Sequence, residues 1–305
     1  MTWTTRDIPP QVRKLAVVTG ANSGIGFHAA LVLARAGCEV ILAARSPEKG
    51  RDAAETIRRE LPQAKVRAEI LDLASLVSIR RFAAKIDQEP KLDLLINNAG
   101  VMAVPTRELT ADGFERQLGV NFLGHYALTA LLVPALLRAR APRITTVSSI
   151  AANMRMKRIN FDDLQAEHFY DPWNAYSQSK LADLMFALEL SRRCERKNYS
   201  LLSNAAHPGY SRTNLFASGP GKPPGPKQSF LLRYFSQDAA SGALPLLRAA
   251  TDYDAASGSY YGPSGFFQLK GDPILIDIPK PARDEAAAKK LWDIAASLTQ
   301  VYFPL

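Results

Sequence analysis

Leu15-Ala16-Val17-Val18 is an apolar run that stops at Thr19-Gly20-Ala21-Asn22-Ser23-Gly24-Ile25-Gly26, and helical spacing takes over inside that loop. An uninterrupted apolar run of this length fits a strand buried on both faces, and a glycine loop leading directly into a helix makes a strand–turn–helix unit. The helix predicted over 25–36 ends at Gly37, a residue suited to a C-cap. The unit then recurs. Further strands are predicted at 39–43, 66–71, 92–96, 143–147 and 201–206, with helices at 47–61, 75–86, 113–139 and 175–196. Alternation at these lengths, with short connections, gives βαβ units. The fold class is therefore α/β, a doubly wound parallel sheet with helices on both faces.

Two segments break the alternation. Residues 150–172 form an insertion ahead of the helix at 175–196. Residues 210–236 contain Gly219-Pro220-Gly221-Lys222-Pro223-Pro224-Gly225-Pro226, which can continue neither helix nor strand. This second segment has the make-up of a flap. No repeat and no linker is evident, so residues 1–305 read as one domain.

Hydrophobic residues are 47% of the chain, enough for a sizeable core. Cys38 and Cys194 sit in no CxxC pair, which argues against a disulfide framework and predicts a cytoplasmic setting. The first residues carry no apolar run of signal type. The nearly uncharged stretch 120–137 holds Asn121, His125 and Pro134, so a buried helix is expected there and no membrane span. That helix could also pair with a second copy, which leaves a homo-oligomer open. Net charge is +9, yet Arg58-Arg59, Arg80-Arg81 and Arg192-Arg193 have acidic neighbours, and no run of five or six like charges occurs. A nucleic-acid partner is not expected. His28, His125, His168 and His207 are dispersed without ligand spacing, so no metal is expected and structural or surface roles are.

The glycine loop has a chemical reading. Gly20, Gly24 and Gly26 place backbone N–H groups and a helix N-terminus where a dinucleotide pyrophosphate can sit. About twenty residues on, where a carboxylate would bind the ribose hydroxyls of NAD, the chain has Ala43-Ala44-Arg45-Ser46. Without a carboxylate to repel a 2′-phosphate, and with Arg45 able to bind one, NADP is favoured over NAD.

Tyr176 and Lys180 lie four apart in a predicted helix, so their side chains leave one face. A phenol with a pKa of ~10 is a poor acid–base group at neutral pH. A cation held within ~4–6 Å brings it toward the working range. Alone, such a pair is more often plain helix surface.

Together the glycine loop, Asn97-Asn98-Ala99-Gly100, Asn121, Ser148-Ser149 and Tyr176–Lys180 resemble the short-chain dehydrogenase/reductase family, in its motif order, over about residues 14–215. Ala44-Arg45-Ser46, His207-Pro208-Gly209 with Thr213, and Tyr260-Tyr261-Gly262-Pro263 resemble its retinol-dehydrogenase and WW-domain-oxidoreductase-like group. The resemblance implies a Rossmann-like single domain, with a cofactor-binding half over about 14–150 and a catalytic and substrate half over about 143–305. It implies a catalytic tetrad of Asn121, Ser149, Tyr176 and Lys180, with Ser148 as the fallback serine. Tyr176 would donate the proton, Ser149 would hold the carbonyl oxygen, and Lys180 would bind the nicotinamide ribose and tune Tyr176. Asn121 would hold a water linking Lys180 to solvent.

By the same resemblance Asn22, Ser23 and Ile25 join the three glycines along the cofactor. Asp72 and Leu73 would contact the adenine, although Asp72 could instead cap the helix near Ser75. Asn98, Ala99 and Gly100 would lie along the cofactor, and Pro208, Gly209 and Thr213 would flank the nicotinamide. Met102, Val104, Met154, Phe161, Trp173, Tyr210, Leu215 and Phe216 are the candidate substrate side, mostly apolar or aromatic. The expected function is NADP(H)-dependent hydride transfer to or from a bulky hydrophobic ketone, aldehyde or secondary alcohol. The alternative is a non-catalytic NADP-sensing or scaffold protein on the same fold. An intact tetrad weighs against that alternative.

Overall fold

The computed structural model describes residues 2–155, 157–211 and 236–304. In chain order the elements are β1 (Leu15–Thr19), α1 (Gly24–Arg35), β2 (Glu39–Ala44), α2 (Pro47–Glu60), β3 (Val66–Ile70), α3 (Leu76–Ile86) and β4 (Leu94–Asn97). A π turn (Leu118–Leu123) leads into α4 (Gly124–Leu137), followed by β5 (Arg143–Val147), α5 (Ala151–Met154), α6 (Pro172–Arg196) and β6 (Leu202–Ala206). The chain closes with α7 (Ala239–Thr251), β7 (Tyr260–Pro263), β8 (Pro273–Leu275) and α8 (Glu285–Thr299).

One eight-stranded sheet runs β3-β2-β1-β4-β5-β6-β7-β8. Its first seven strands are parallel, and β8 pairs antiparallel with β7. Successive side chains of a strand face opposite ways. Accordingly Leu15, Val17, Ile41 and Ala43 join the core under α3, α4, α6 and α8. Ala16, Val18, Val40 and Leu42 join the core under α1, α2 and α7. Both faces are covered, which is why these strands read as continuous apolar runs. From β1 the chain steps outward to β2 and β3, then returns to lay β4 on the other side of β1. Ligands of such sheets bind beyond the carboxyl ends of the strands at this reversal.

Several boundaries differ from expectation for local reasons. α6 starts at Pro172, not residue 175, because the Asp171 carboxylate accepts from Asn174 N at 2.7 Å and Pro172 needs no partner for a missing N–H. The strand expected at 92–96 is β4 at Leu94–Asn97; ahead of it the Asp93 carboxylate accepts from Leu15 N, 2.9 Å away, and ties β4 to β1.

The uniform helix expected over 113–139 carries a π turn at Leu118–Leu123, with the Gly124 N–H donating to the Gly119 carbonyl. At Gly124 a side chain would sit 2.6 Å from the Leu73 carbonyl, so that close approach is open to glycine alone. Leu118–Leu137 is long and apolar enough to cross a membrane by composition, but most of it is buried, packed against α3, α6 and α8. β7, β8, α7 and α8 were not anticipated as elements.

Candidate active site

The carboxyl ends of β1, β4, β5 and β6 open on a cleft of about 550 Å³, which continues past Gly20 and Gly100 into a hollow of about 350 Å³. Gly20, Asn22, Ser23, Gly24, Ile25 and Gly26 line one wall of the larger cleft. Gly20 has φ +65°, and a Cβ there would be 2.9 Å from Ala99 Cα. At Gly26 a Cβ would be 2.5 Å from Asn98 Nδ2. These two glycines therefore let the β1 loop and the β4 loop touch, a packing demand the phosphate argument did not include. Ser23 is the N-cap of α1 but its side chain makes no capping bond, so the first N–H groups of α1 have no side-chain acceptor there.

Asn98, Ala99 and Gly100 form the floor and are held from below. Thr19 Oγ1 accepts from Asn98 N at 2.8 Å and Ala99 N at 2.9 Å. His125 Nε2 lies 2.9 Å from the same oxygen, and the Asn121 carbonyl beside His125 Nδ1 can only accept. The ring proton must then sit on Nδ1, which donates to the Asn121 carbonyl at 2.7 Å. His125 thus joins the glycine-loop strand to the π turn. Sequence reading gave it only a structural or surface role, and its partners lie too far off in sequence to be inferred.

Arg45, Asp72 and Leu73 line the smaller hollow. Arg45 is exposed, and among the described residues no carboxylate pairs with it. The capping alternative for Asp72 is corrected. Ser75 caps α3 by accepting from Ser78 N at 3.3 Å, while Asp72 Oδ1 accepts from Ala74 N.

Tyr176 is buried with Met102 and Ala103, and meets Trp173 edge-on at 6.2 Å between ring centres. Its ring lines the cleft beside Ser149, Lys180 and Gly100. The Lys180 ammonium donates to the Val147 carbonyl at 2.9 Å and to Asp183 Oδ2 at 2.8 Å. A Cβ on Gly100 would lie 3.1 Å from Asn121 Oδ1 and 3.7 Å from Lys180 Nζ, so all three are neighbours.

The two serines are separated by their bonds. Ser148 Oγ is buried and donates to the Lys180 carbonyl at 2.7 Å, whereas among the described residues Ser149 Oγ only accepts, from Ala151 N at 3.2 Å. The Ser149 hydroxyl proton therefore remains available to the cleft. Asn121 is fully engaged: Oδ1 accepts from Val101 N, and Nδ2 donates to the Val101 carbonyl and to Ser179 Oγ. Its side chain pins the β4 loop to α6, and its main-chain oxygen accepts from His125.

At the far end Pro208, Gly209 and Tyr210 line the cleft with Leu269 from the β7–β8 connection. The Tyr210 N–H donates to the Leu269 carbonyl at 2.7 Å. Met154 and Trp173 line the same cleft, and Val104 the smaller hollow. Phe161 does not join them; it packs on the core with the Lys290 ammonium 4.3 Å over its ring, so its candidacy is withdrawn. Thr213, Leu215 and Phe216, and most of the expected flap at 210–236, lie outside the described residues. Among the described residues no cluster of three His, Cys, Asp or Glu could hold a metal ion.

A reversal-point cleft holding an uncapped helix N-terminus, a phenol and a buried ammonium is matched in sequence by the family described as short chain dehydrogenase, over residues 14–221. The chain belongs to that family. Mouse retinol dehydrogenase 13 is 41% identical over 298 residues, covering 93% of this chain and 83% of that protein. Mouse polyprenol dehydrogenase is 38% identical over 299 residues, with 96% and 85% covered. Among solved structures, an uncharacterized protein from Mycobacterium paratuberculosis superposes with a TM-score of 0.82 at 42% identity, over 100% of both chains. A short chain dehydrogenase from Shigella flexneri, complexed with NADP, superposes at 0.64 with 25% identity, over 82% of this chain and 97% of that one. This short chain dehydrogenase is accordingly an oxidoreductase that resembles the retinol dehydrogenases.

Two buried imidazoles give the dehydrogenase an acid sensitivity. Burial pushes His125 down to about 3 and His207 down to about 4. Both stay neutral in the fold, while the unfolded chain takes up protons near pH ~6.5. These two rings therefore contribute fully above that pH and lose their contribution on acidification toward pH ~4, by about 1.4 kcal/mol per pH unit for each ring, while the Asp183 and Glu115 carboxyls, raised by burial, offset part of that loss. Thermal unfolding at pH 7 and pH 5 checks this. A midpoint unchanged between the two would refute it.

Proposed function

We propose that this chain is an NADP(H)-dependent oxidoreductase that acts on a bulky hydrophobic aldehyde or ketone, or the matching alcohol, with Tyr176 as the proton donor and acceptor. The observation that carries the reading is the placement of the Tyr176 phenol and the buried Lys180 ammonium on one face of α6, in the cleft beside the free Ser149 hydroxyl. The uncapped α1 N-terminus fits a pyrophosphate. Gly20 through Gly26 would hold that group, Arg45 a 2′-phosphate, Asp72 and Leu73 the adenine, and Asn98, Ala99 and Gly100 the middle of the cofactor. Pro208, Gly209, Lys180 and Tyr176 would face its nicotinamide end. When bound, the cofactor supplies or accepts the hydride.

The chain's own groups do the rest. Ser149 donates a hydrogen bond to the substrate oxygen and fixes its position. Tyr176 passes its proton to that oxygen in reduction and withdraws it in oxidation. The Lys180 charge stabilises the phenolate that remains. Met102, Met154, Trp173, Tyr210 and Leu269 give the cleft an apolar wall, which suits a large apolar substrate. Relatives named for retinol and polyprenol support a primary isoprenoid alcohol or its aldehyde in preference to a secondary alcohol.

The test is cofactor absorbance with retinal, a polyprenal, aromatic ketones and small charged carbonyls, each with NADPH and NADH. Turnover of the large apolar substrates is expected. Turnover confined to small charged carbonyls would overturn the substrate reading, and none at all despite tight NADPH binding would favour a sensor.

A further inference from the structure

We propose that Asp183 is a positioning residue, the buried counter-ion that keeps Lys180 charged while Lys180 acts on Tyr176. The inference rests on the roles of Tyr176 and Lys180 proposed above. Asp183 follows Lys180 by three residues on α6, so its carboxylate lies one turn deeper on the same face. Their side chains are 5% and 1% exposed, and Lys180 Nζ to Asp183 Oδ2 is 2.8 Å. An ammonium has three donors. One goes to the Val147 carbonyl and one to Asp183, which leaves the third for the cleft side where Tyr176 and Gly100 stand.

The second observation concerns the other carboxylate oxygen. Asp183 Oδ1 is buried and has no hydrogen-bond partner among the described residues. A buried acceptor left unmet is costly, and a carboxylate more so than a neutral amide. What Asp183 supplies that an asparagine could not is its charge.

Among the described residues, the surroundings of Lys180 contain no substitute. On its own helix stand Tyr176 and Asp183. From α4 comes His125, which burial keeps neutral, and from the π turn the Asn121 amide. β5 offers a carbonyl, and β7 contributes the Tyr260 phenol, which lies near Tyr176 and bonds Ser148. Burial works against the Lys180 ammonium, and Asp183 is the largest influence opposing it, with Tyr176 second. Without that carboxylate Lys180 would be an isolated buried cation, which is relieved by releasing its proton to solvent. A neutral amine would no longer favour the Tyr176 phenolate.

Asp183→Asn keeps the shape and one hydrogen-bond acceptor but removes the charge. NADPH binding, read by protein fluorescence quenching, is measured against pH in the wild type and the variant, with the alkaline limb of retinol oxidation alongside. The variant should lose NADPH affinity by about tenfold above a midpoint lying at least about one pH unit below any limb of the wild type, and oxidation should follow. A merely structural role would scale the whole profile without moving the limb. An unmoved limb, or one moved upward, overturns the proposal. Asp183→Ser, smaller and uncharged, gives a second reading should the asparagine variant not fold. The wild type supplies a third, because an alkaline limb below the ordinary lysine range of ~10 would by itself overturn the proposal. Tyr176→Phe is run in parallel. If that variant turns over normally, the underlying roles fall and this inference with them. If it is inactive while Asp183→Asn keeps the wild-type limb, only the inference falls.

Discussion

Tyr176→Phe should lower turnover by roughly a thousandfold in either direction while leaving NADPH affinity unchanged. A positioned general acid contributes about 10²–10⁴ in rate, and phenylalanine has no proton to give. The substitution is otherwise conservative. The ring is 5% exposed and packs with Met102, Ala103 and Trp173, contacts that a phenyl ring keeps. No buried partner is stranded, because no hydrogen bond to the Tyr176 hydroxyl exists among the described residues. Thermal unfolding should therefore match the wild type, which separates lost chemistry from lost fold. A sensor or scaffold on this fold would behave otherwise, since nothing in cofactor retention requires the phenolic proton. Equal kcat values for wild type and variant would sink the proton-transfer reading.

The parts of the site that could be read in advance are those whose meaning is local. The Gly20–Gly26 loop declares itself because a strand, a turn and a helix follow one another within a dozen residues. Strands β1 and β2 were legible because burial on both faces leaves uninterrupted apolar runs. The Tyr176–Lys180 spacing was legible because it repeats one helical turn.

What escaped was set by contacts distant in sequence. β7 reads Tyr-Tyr-Gly-Pro, a composition with two poor strand formers, and is a strand because β6 lies beside it. The π turn at Leu118–Leu123 hides inside an apolar periodicity that an unbroken helix satisfies equally well. Asp183 follows Lys180 at a spacing that on most helices is a solvated pair of little consequence. Only the burial of α6 from Ala175 to Ser191 turns it into an enclosed ion pair. His125 has the same history, since Thr19 and the Asn121 carbonyl become its partners only when β1 and the π turn meet.

Arg45→Asp should reverse the cofactor preference, weakening NADPH by about 10–100-fold and strengthening NADH. A hydrogen bond to a charged group contributes about 1.5–3 kcal/mol, and each 1.4 kcal/mol is a factor of ten. Loss of the guanidinium accounts for that range, and a carboxylate facing the 2′-phosphate adds repulsion. The same carboxylate can accept from the paired hydroxyls of NAD ribose, which supplies the gain. The position tolerates the change. Arg45 is exposed, directly follows β2 and precedes the Ser46 cap of α2, where a negative charge near a helix N-terminus is mildly favourable. With no ion pair to Arg45 among the described residues, no carboxylate is left without its partner. The ratio of kcat/KM for NADPH over NADH reads the outcome without reference to fold, because both cofactors meet the same protein. A ratio that does not move would place the discrimination elsewhere along the hollow formed by Asp72, Leu73 and the β1 loop, and would leave Arg45 as an ordinary surface cation.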